Sequence, residues 1–104
     1  MTAEGRRKID VELSSLFEAA GLSRFLSFEL GERDASVKGL LHRLAEKGGA
    51  RIKTLLFEEG EEAVLAGLMV VVNDRVFTGT ALNREAVELR DRDKVNLLYF
   101  VSGG

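Results

Sequence analysis

Cysteine is absent from the 104 residues of the chain, which removes disulfide scaffolds, thiolate metal sites and cysteine nucleophiles together. That absence also fits a reducing compartment. Proline is absent too, so no segment is stiffened by a ring-locked φ. His42 is the single histidine, with no cysteine or second histidine to share a metal ion. Neither sign of charge is in excess: 15 Lys and Arg stand against 17 Asp and Glu, a formal net charge of -2. A chain so balanced carries no electrostatic footprint for nucleic acid. No apolar run approaches the roughly 18–20 residues that cross a bilayer, and the start, Met1 to Lys8, lacks the apolar stretch of a signal peptide. The expectation is a cytoplasmic protein with neither a nucleic-acid nor a membrane partner.

What is present suffices for one packed domain. Hydrophobic residues make up 45% and charged residues 31%, close to ordinary globular usage, so a core can form without metal or disulfide staples. Residues 1–7 read as a flexible lead-in, 8–100 as the domain, and 101–104 as an exposed tail. Ile9, Val11 and Leu13 alternate with polar neighbours, the period of a half-buried strand. A connection through Gly21 leads to a second alternation over 25–30, and the two predict an antiparallel hairpin.

The period then changes. Val37, Leu40, Leu41 and Leu44 stand at i, i+3, i+4 and i+7, one face of a helix. Asp34 or Ser36 can cap its start, and Gly48-Gly49 can stop it. Ile52, Leu55 and Leu56 predict a short helical turn, and Glu58 to Glu62 an acidic loop. Leu68 to Val72 is a β-branched run read as a strand buried on both faces. Asn73-Asp74 turns it into a brief strand over 75–78. Residues 79–84 read as loop, and a charged turn at 90–93 precedes a last strand over 95–100. The order β-β-α-(short helix)-β-β-β predicts an α+β fold: a mixed sheet of about five strands with one main helix packed across one face.

The last strand departs from simple alternation. Val95, Leu97 and Tyr99 form one apolar face, while Leu98 and Phe100 make the other apolar as well. Two readings stand. Either part of this surface is an exposed partner-binding patch, Leu98 and Phe100 joined by Phe77 or Phe25, or the strand is central and covered on both sides by the 51–66 segment. Directly beyond it lie Val101, Ser102, Gly103 and Gly104. A Gly-Gly pair has no packing purpose, since glycine loses more entropy on ordering than any other residue. It is a flexible end, or it is slim enough to thread a narrow channel and deliver a carboxylate to another protein's active site.

The hairpin–helix–strand order, the Val72-Asn73 turn, the Arg92-Asp93-Lys94-Val95 approach to the last strand and the terminal Gly103-Gly104 together resemble the ubiquitin-like β-grasp sulfur carriers. These include the small subunit of molybdopterin synthase and the thiamine-pathway carrier. The resemblance spans residues 8–104 and is most specific over 70–104. It implies that an E1-like enzyme adenylates Gly104 with ATP and that the acyl-adenylate becomes a thiocarboxylate, a sulfur donor. It implies no bound cofactor, and as partners the activating enzyme and a molybdopterin synthase large subunit or another sulfur acceptor. The length favours the molybdopterin branch. A thiamine or other sulfur pathway, a modifier conjugated to lysine amines, and a plain interaction module are the alternatives. Two positions depart from the family pattern: Arg92 stands where a glycine is usual, and no proline precedes the tail.

No nucleophile–base pair or metal cluster is evident, so the chain is read as a co-substrate with no catalytic residue of its own. His42 falls off the apolar stripe and reads as solvated helix surface. Glu58, Glu59, Glu61 and Glu62 read as a solvated loop sooner than as a divalent-ion site.

Overall fold

In a computed structural model the described residues are 6–58 and 63–99. Among the expectations above, those on residues 1–5, 59–62 and 100–104 lie outside them. Five strands form one mixed sheet among the described residues: β1 (Arg7–Leu13), β2 (Phe25–Leu30), β3 (Leu68–Val72), β4 (Arg75–Thr78) and β5 (Lys94–Tyr99), in the spatial order β2-β1-β5-β3-β4. The first hairpin is antiparallel, as its alternation requires, with Ile9 opposite Phe28 and Val11 opposite Leu26. β5 enters between the two hairpins, parallel to β1 and antiparallel to β3. This is the ubiquitin-like β-grasp fold, a five-stranded mixed sheet with helices packed across it.

The main helix, α2 (Val37–Gly48), buries the predicted stripe of Val37, Leu40, Leu41 and Leu44 completely. Of the two candidate caps it is Ser36 that acts, its Oγ accepting from the Gly39 N–H at 3.0 Å. Gly49 ends the helix at φ 84°, a left-handed conformation that glycine adopts without penalty. The short turn at 51–56 is α3 (Ala50–Leu56), which buries Ile52 and Leu56.

Two further helices occupy segments read as connections. α1 (Ser15–Ala19) follows β1 immediately and buries Phe17 entirely. α4 (Gly79–Arg84) follows β4, capped by Thr78 Oγ1 on the Ala81 N–H at 3.2 Å. With one large buried anchor each, Phe17 and Leu82, neither is long enough to print a helical period. α4 also fixes the chain ahead of β3. The Asn83 amide accepts from the Val64 N–H at 2.8 Å and donates to the Val64 carbonyl at 3.0 Å, imitating a strand partner.

One cluster of buried side chains unites the helices with a single face of the sheet, from Ile9, Val11 and Leu13 through Val95 and Leu97 to Leu68, Val70 and Val72. β3 is therefore not buried on both faces. Met69 and Val71 are only half-buried, because among the described residues no helix covers their side of the sheet.

Candidate functional site

The uncovered face can be read from the strand registers, since directly paired residues project to the same side. One row crosses all five strands: Phe25, Glu12, Asn96, Val71 and Val76. A second joins Leu98, Met69 and Thr78, and a third joins Ser27, Asp10 and Lys94. Leu98 is 40%, Val76 57% and Phe25 66% exposed. Around Asn96 the side chains of Met69, Val71, Val76 and Leu98 thus form an apolar patch. Its β1–β2 side is charged, with Asp10 accepting from the Ser27 hydroxyl at 2.8 Å and Glu12 paired to Arg24 at 3.1 Å. An apolar centre beside a polar margin is the make-up of a protein-docking surface.

Of the predicted patch, Leu98 lies on this face. Phe77 does not. Its register partner is Val70, which is buried and in turn opposite the buried Leu97, so Phe77 packs half-buried on the helix side, under the Arg75 guanidinium at 5.4 Å. The sheet separates Phe77 from Leu98, and they cannot serve one patch. Phe25 does belong to the open face. Phe100, and the tail residues Val101, Ser102, Gly103 and Gly104, lie outside the described residues. Asn96, Val71 and Val76 were missed by the sequence, because alternation assigns faces within a strand and says nothing about which strands are neighbours. Of the two readings of the last strand, the structure combines one half of each: β5 is central, and one of its faces is open.

Both ends of β5 are built. At its start, the two motifs that carry the resemblance meet. The Asn73 side chain donates to Asp93 Oδ1 at 3.0 Å and accepts from the Lys94 N–H at 3.1 Å. The other Asp93 oxygen accepts from the Arg90 N–H at 2.8 Å, and the Arg92 N–H donates to the Lys8 carbonyl at 2.7 Å. Together these bonds hold β5 in its slot between the hairpins. Local ion pairing plays little part in the charged turn, where the Arg92–Asp91 pair is 4.0 Å apart and exposed.

Arg92 and Asn73 are the two non-glycine residues with positive φ among the described residues, at 73° and 56°. Asparagine tolerates this region; for arginine it costs roughly 1–2 kcal/mol. The glycine that the resemblance implies at position 92 would suit this backbone conformation. Arg92→Gly is expected to stabilise the protein by about 0.5–1 kcal/mol after the entropic cost of glycine, raising Tm by a few degrees in calorimetry.

At the other end, the Tyr99 ring is half-buried and stacks on Phe17 with centroids 5.7 Å apart. Burial pushes its phenol up to about 12. That hydroxyl and the Oγ of Ser14 are both buried without a hydrogen-bond partner among the described residues.

His42 is exposed on α2, its ring stacked on Phe57 at 4.6 Å. Among the described residues no group of three or more His, Asp or Glu side chains is placed to hold a metal ion, and no helix is long and apolar enough to cross a membrane.

Several solved structures share this architecture. The small archaeal modifier protein 1 of Methanosarcina acetivorans is 27% identical with a TM-score of 0.72, the alignment covering 95% of this chain and 98% of that one. A candidate molybdopterin converting factor, subunit 1, from Pyrococcus furiosus is 25% identical with a TM-score of 0.64, covering 91% and 99%. The small archaeal modifier protein 1 of Haloferax volcanii is 23% identical with a TM-score of 0.68, covering 93% and 99%, a likeness of fold alone. No curated protein matches in sequence. Residues 16–104 match the ThiS family, so the match takes in α1 from its second residue, the whole of β5 and the terminal glycines. By that match and by its β-grasp architecture, the chain belongs to the ThiS family of ubiquitin-like sulfur carriers and modifiers.

Proposed function

We propose that this protein is a sulfur carrier whose Gly104 carboxylate is activated and thiocarboxylated by an E1-like enzyme, with molybdopterin biosynthesis as the pathway it serves. The observation that carries this reading is that the family match runs through Gly104, five residues beyond the last described residue of the central strand β5. The chemistry asked of the chain is small. A Gly104 oxygen attacks the α-phosphorus of ATP held by the partner, and pyrophosphate leaves. Hydrosulfide, supplied at the partner's site, then attacks the acyl carbon, and AMP leaves, which gives the thiocarboxylate. Every catalytic group belongs to the partner enzyme. This chain supplies a recognisable face, the apolar patch around Asn96, and an unhindered carboxylate.

A domain that does not catalyse can still dominate specificity, because docking through the sheet decides which carboxylate reaches the adenylating site. The likeness to a molybdopterin converting factor subunit supports that pathway, with the synthase large subunit as the sulfur acceptor. The likeness to a small archaeal modifier protein supports a second reading, transfer of the activated Gly104 to lysine amines. Intact-mass spectrometry of the protein purified from its own cells separates the two. A carrier is expected to show a species heavier by the exchange of one oxygen for one sulfur. A modifier instead yields tryptic peptides branched at lysine. A chain bearing neither mark, in cells active in sulfur transfer, overturns both.

A further inference from the structure

We propose that Tyr99, stacked on Phe17 of α1, is a positioning residue that holds β5 at Leu98 and Tyr99, the two described residues nearest Gly104 in sequence. This deepens the carrier reading and, for its kinetic consequence, rests on it. The argument starts from a mismatch in strand lengths. β5 is flanked by β1 and β3, but β1 runs out first. Its last register pair with β5 is Leu13 with Leu97, followed by one bond from the Ser14 N–H to the Leu97 carbonyl at 3.2 Å. β3 continues to Tyr99, whose partner is Leu68. Among the described residues Leu98 and Tyr99 are therefore laddered on one side only.

A strand end held on one side frays, and this chain has no proline to stiffen it. On the side that β1 vacates, α1 takes over. The Phe17 N–H bonds the Ser14 carbonyl at 3.0 Å, and the Leu22 N–H bonds the Phe17 carbonyl at 3.1 Å, so the Phe17 ring sits on a rigid turn, fully buried. Tyr99 lays its ring on Phe17 at an interplanar angle of 23°. Offset aromatic pairing adds to what area burial alone provides. The side-chain contact that ties Tyr99 to α1 is made by its ring, so the ring does the holding. Tyr99 thereby takes the place of the missing ladder. Each residue left loose before the tail would have to be ordered afresh when the tail enters the activating enzyme, which subtracts from the rate of the step that needs it in place.

The open docking face lies on the other side of the sheet from Tyr99, which allows a clean split. Tyr99→Leu keeps an apolar strand residue but removes the stack. Its adenylation by the activating enzyme is expected to show an unchanged KM and a kcat about three- to tenfold lower. Amide exchange at Leu98 and Tyr99 should accelerate while Val95 and Leu97 stay protected. Phe17→Leu, 82 positions away in sequence, should reproduce both effects, and Tyr99→Phe should behave as the parent. Kinetics are read well below each variant's Tm, so that a general loss of stability leaves kcat unmoved. Parental exchange at Leu98 and Tyr99 in Tyr99→Leu overturns the proposal, as does a Tyr99→Phe variant impaired like Tyr99→Leu. If the parent itself is never adenylated, the carrier reading fails, and the exchange measurement still decides whether Tyr99 anchors the strand end.

Discussion

A chain lacking Gly104, or carrying one residue appended after it, is expected to lose adenylation by the activating enzyme by about a thousandfold or more. In the proposed reaction the reacting atom is a single carboxylate oxygen, and the length of the tail sets how far it reaches into the partner's site. Deleting Gly104 draws the carboxylate back by one residue, roughly 3.3–3.6 Å, well beyond the tolerance of an in-line attack. Appending a residue moves the α-carboxylate past the site and puts an amide where an acid is needed. Among the described residues the core ends at Leu97 with Tyr99 packed against it, five residues before Gly104 in sequence. The parental Tm should therefore persist. ATP–pyrophosphate exchange with the partner enzyme reads the loss, and calorimetry checks the fold. Normal exchange by either variant would remove Gly104 from the mechanism.

The second large effect is a contrast between two residues that the sequence grouped and the sheet divides. Leu98→Asp places a charge in the apolar centre of the open face. It is expected to lower kcat/KM for activation by about 30-fold or more through KM, as for an interface hot spot. The stability cost should be small, within the roughly 1 kcal/mol range of strand propensity on an exposed face. Phe77→Ala should do the reverse. It strips a half-buried ring from the helix side, where it packs against the core, for a loss of about 2 kcal/mol, less than a fully buried Phe would cost. Activation kinetics below its Tm should match the parent. Steady-state kinetics and urea denaturation measure both arms. If Phe77→Ala raised KM while Leu98→Asp did not, the docking surface would lie on the helix side, and the open face would have no part in activation.

Much of this architecture is legible locally. The stripe from Val37 to Leu44 spans two full turns, enough for its period to separate helix from strand. The Asn73-Asp74 turn is legible because asparagine is among the few residues that accept a left-handed backbone. Where a signal needs length, short elements escape it: α1 and α4 have five and six residues. Position 92 shows a different limit. An arginine carries no sequence signal for positive φ, and only the bonds from Asp93 and Lys8 on either side of it oblige the backbone to bend that way.

By itself, the sequence determined which residues in each strand share a side and where the main helix stops, and it narrowed the start of that helix to two candidate caps. Each of these follows from local chemistry: side-chain alternation and capping. The tertiary structure alone decided that β5 lies between β1 and β3, and with that everything relational. It set Leu98 beside Met69, put Phe77 across the sheet from both, and brought Phe17 under Tyr99. The physical reason is that a strand's alternation defines two faces without ranking them. Which face is covered, and by what, depends on the pairing of segments more than 50 residues apart in the chain, such as β1 with β5.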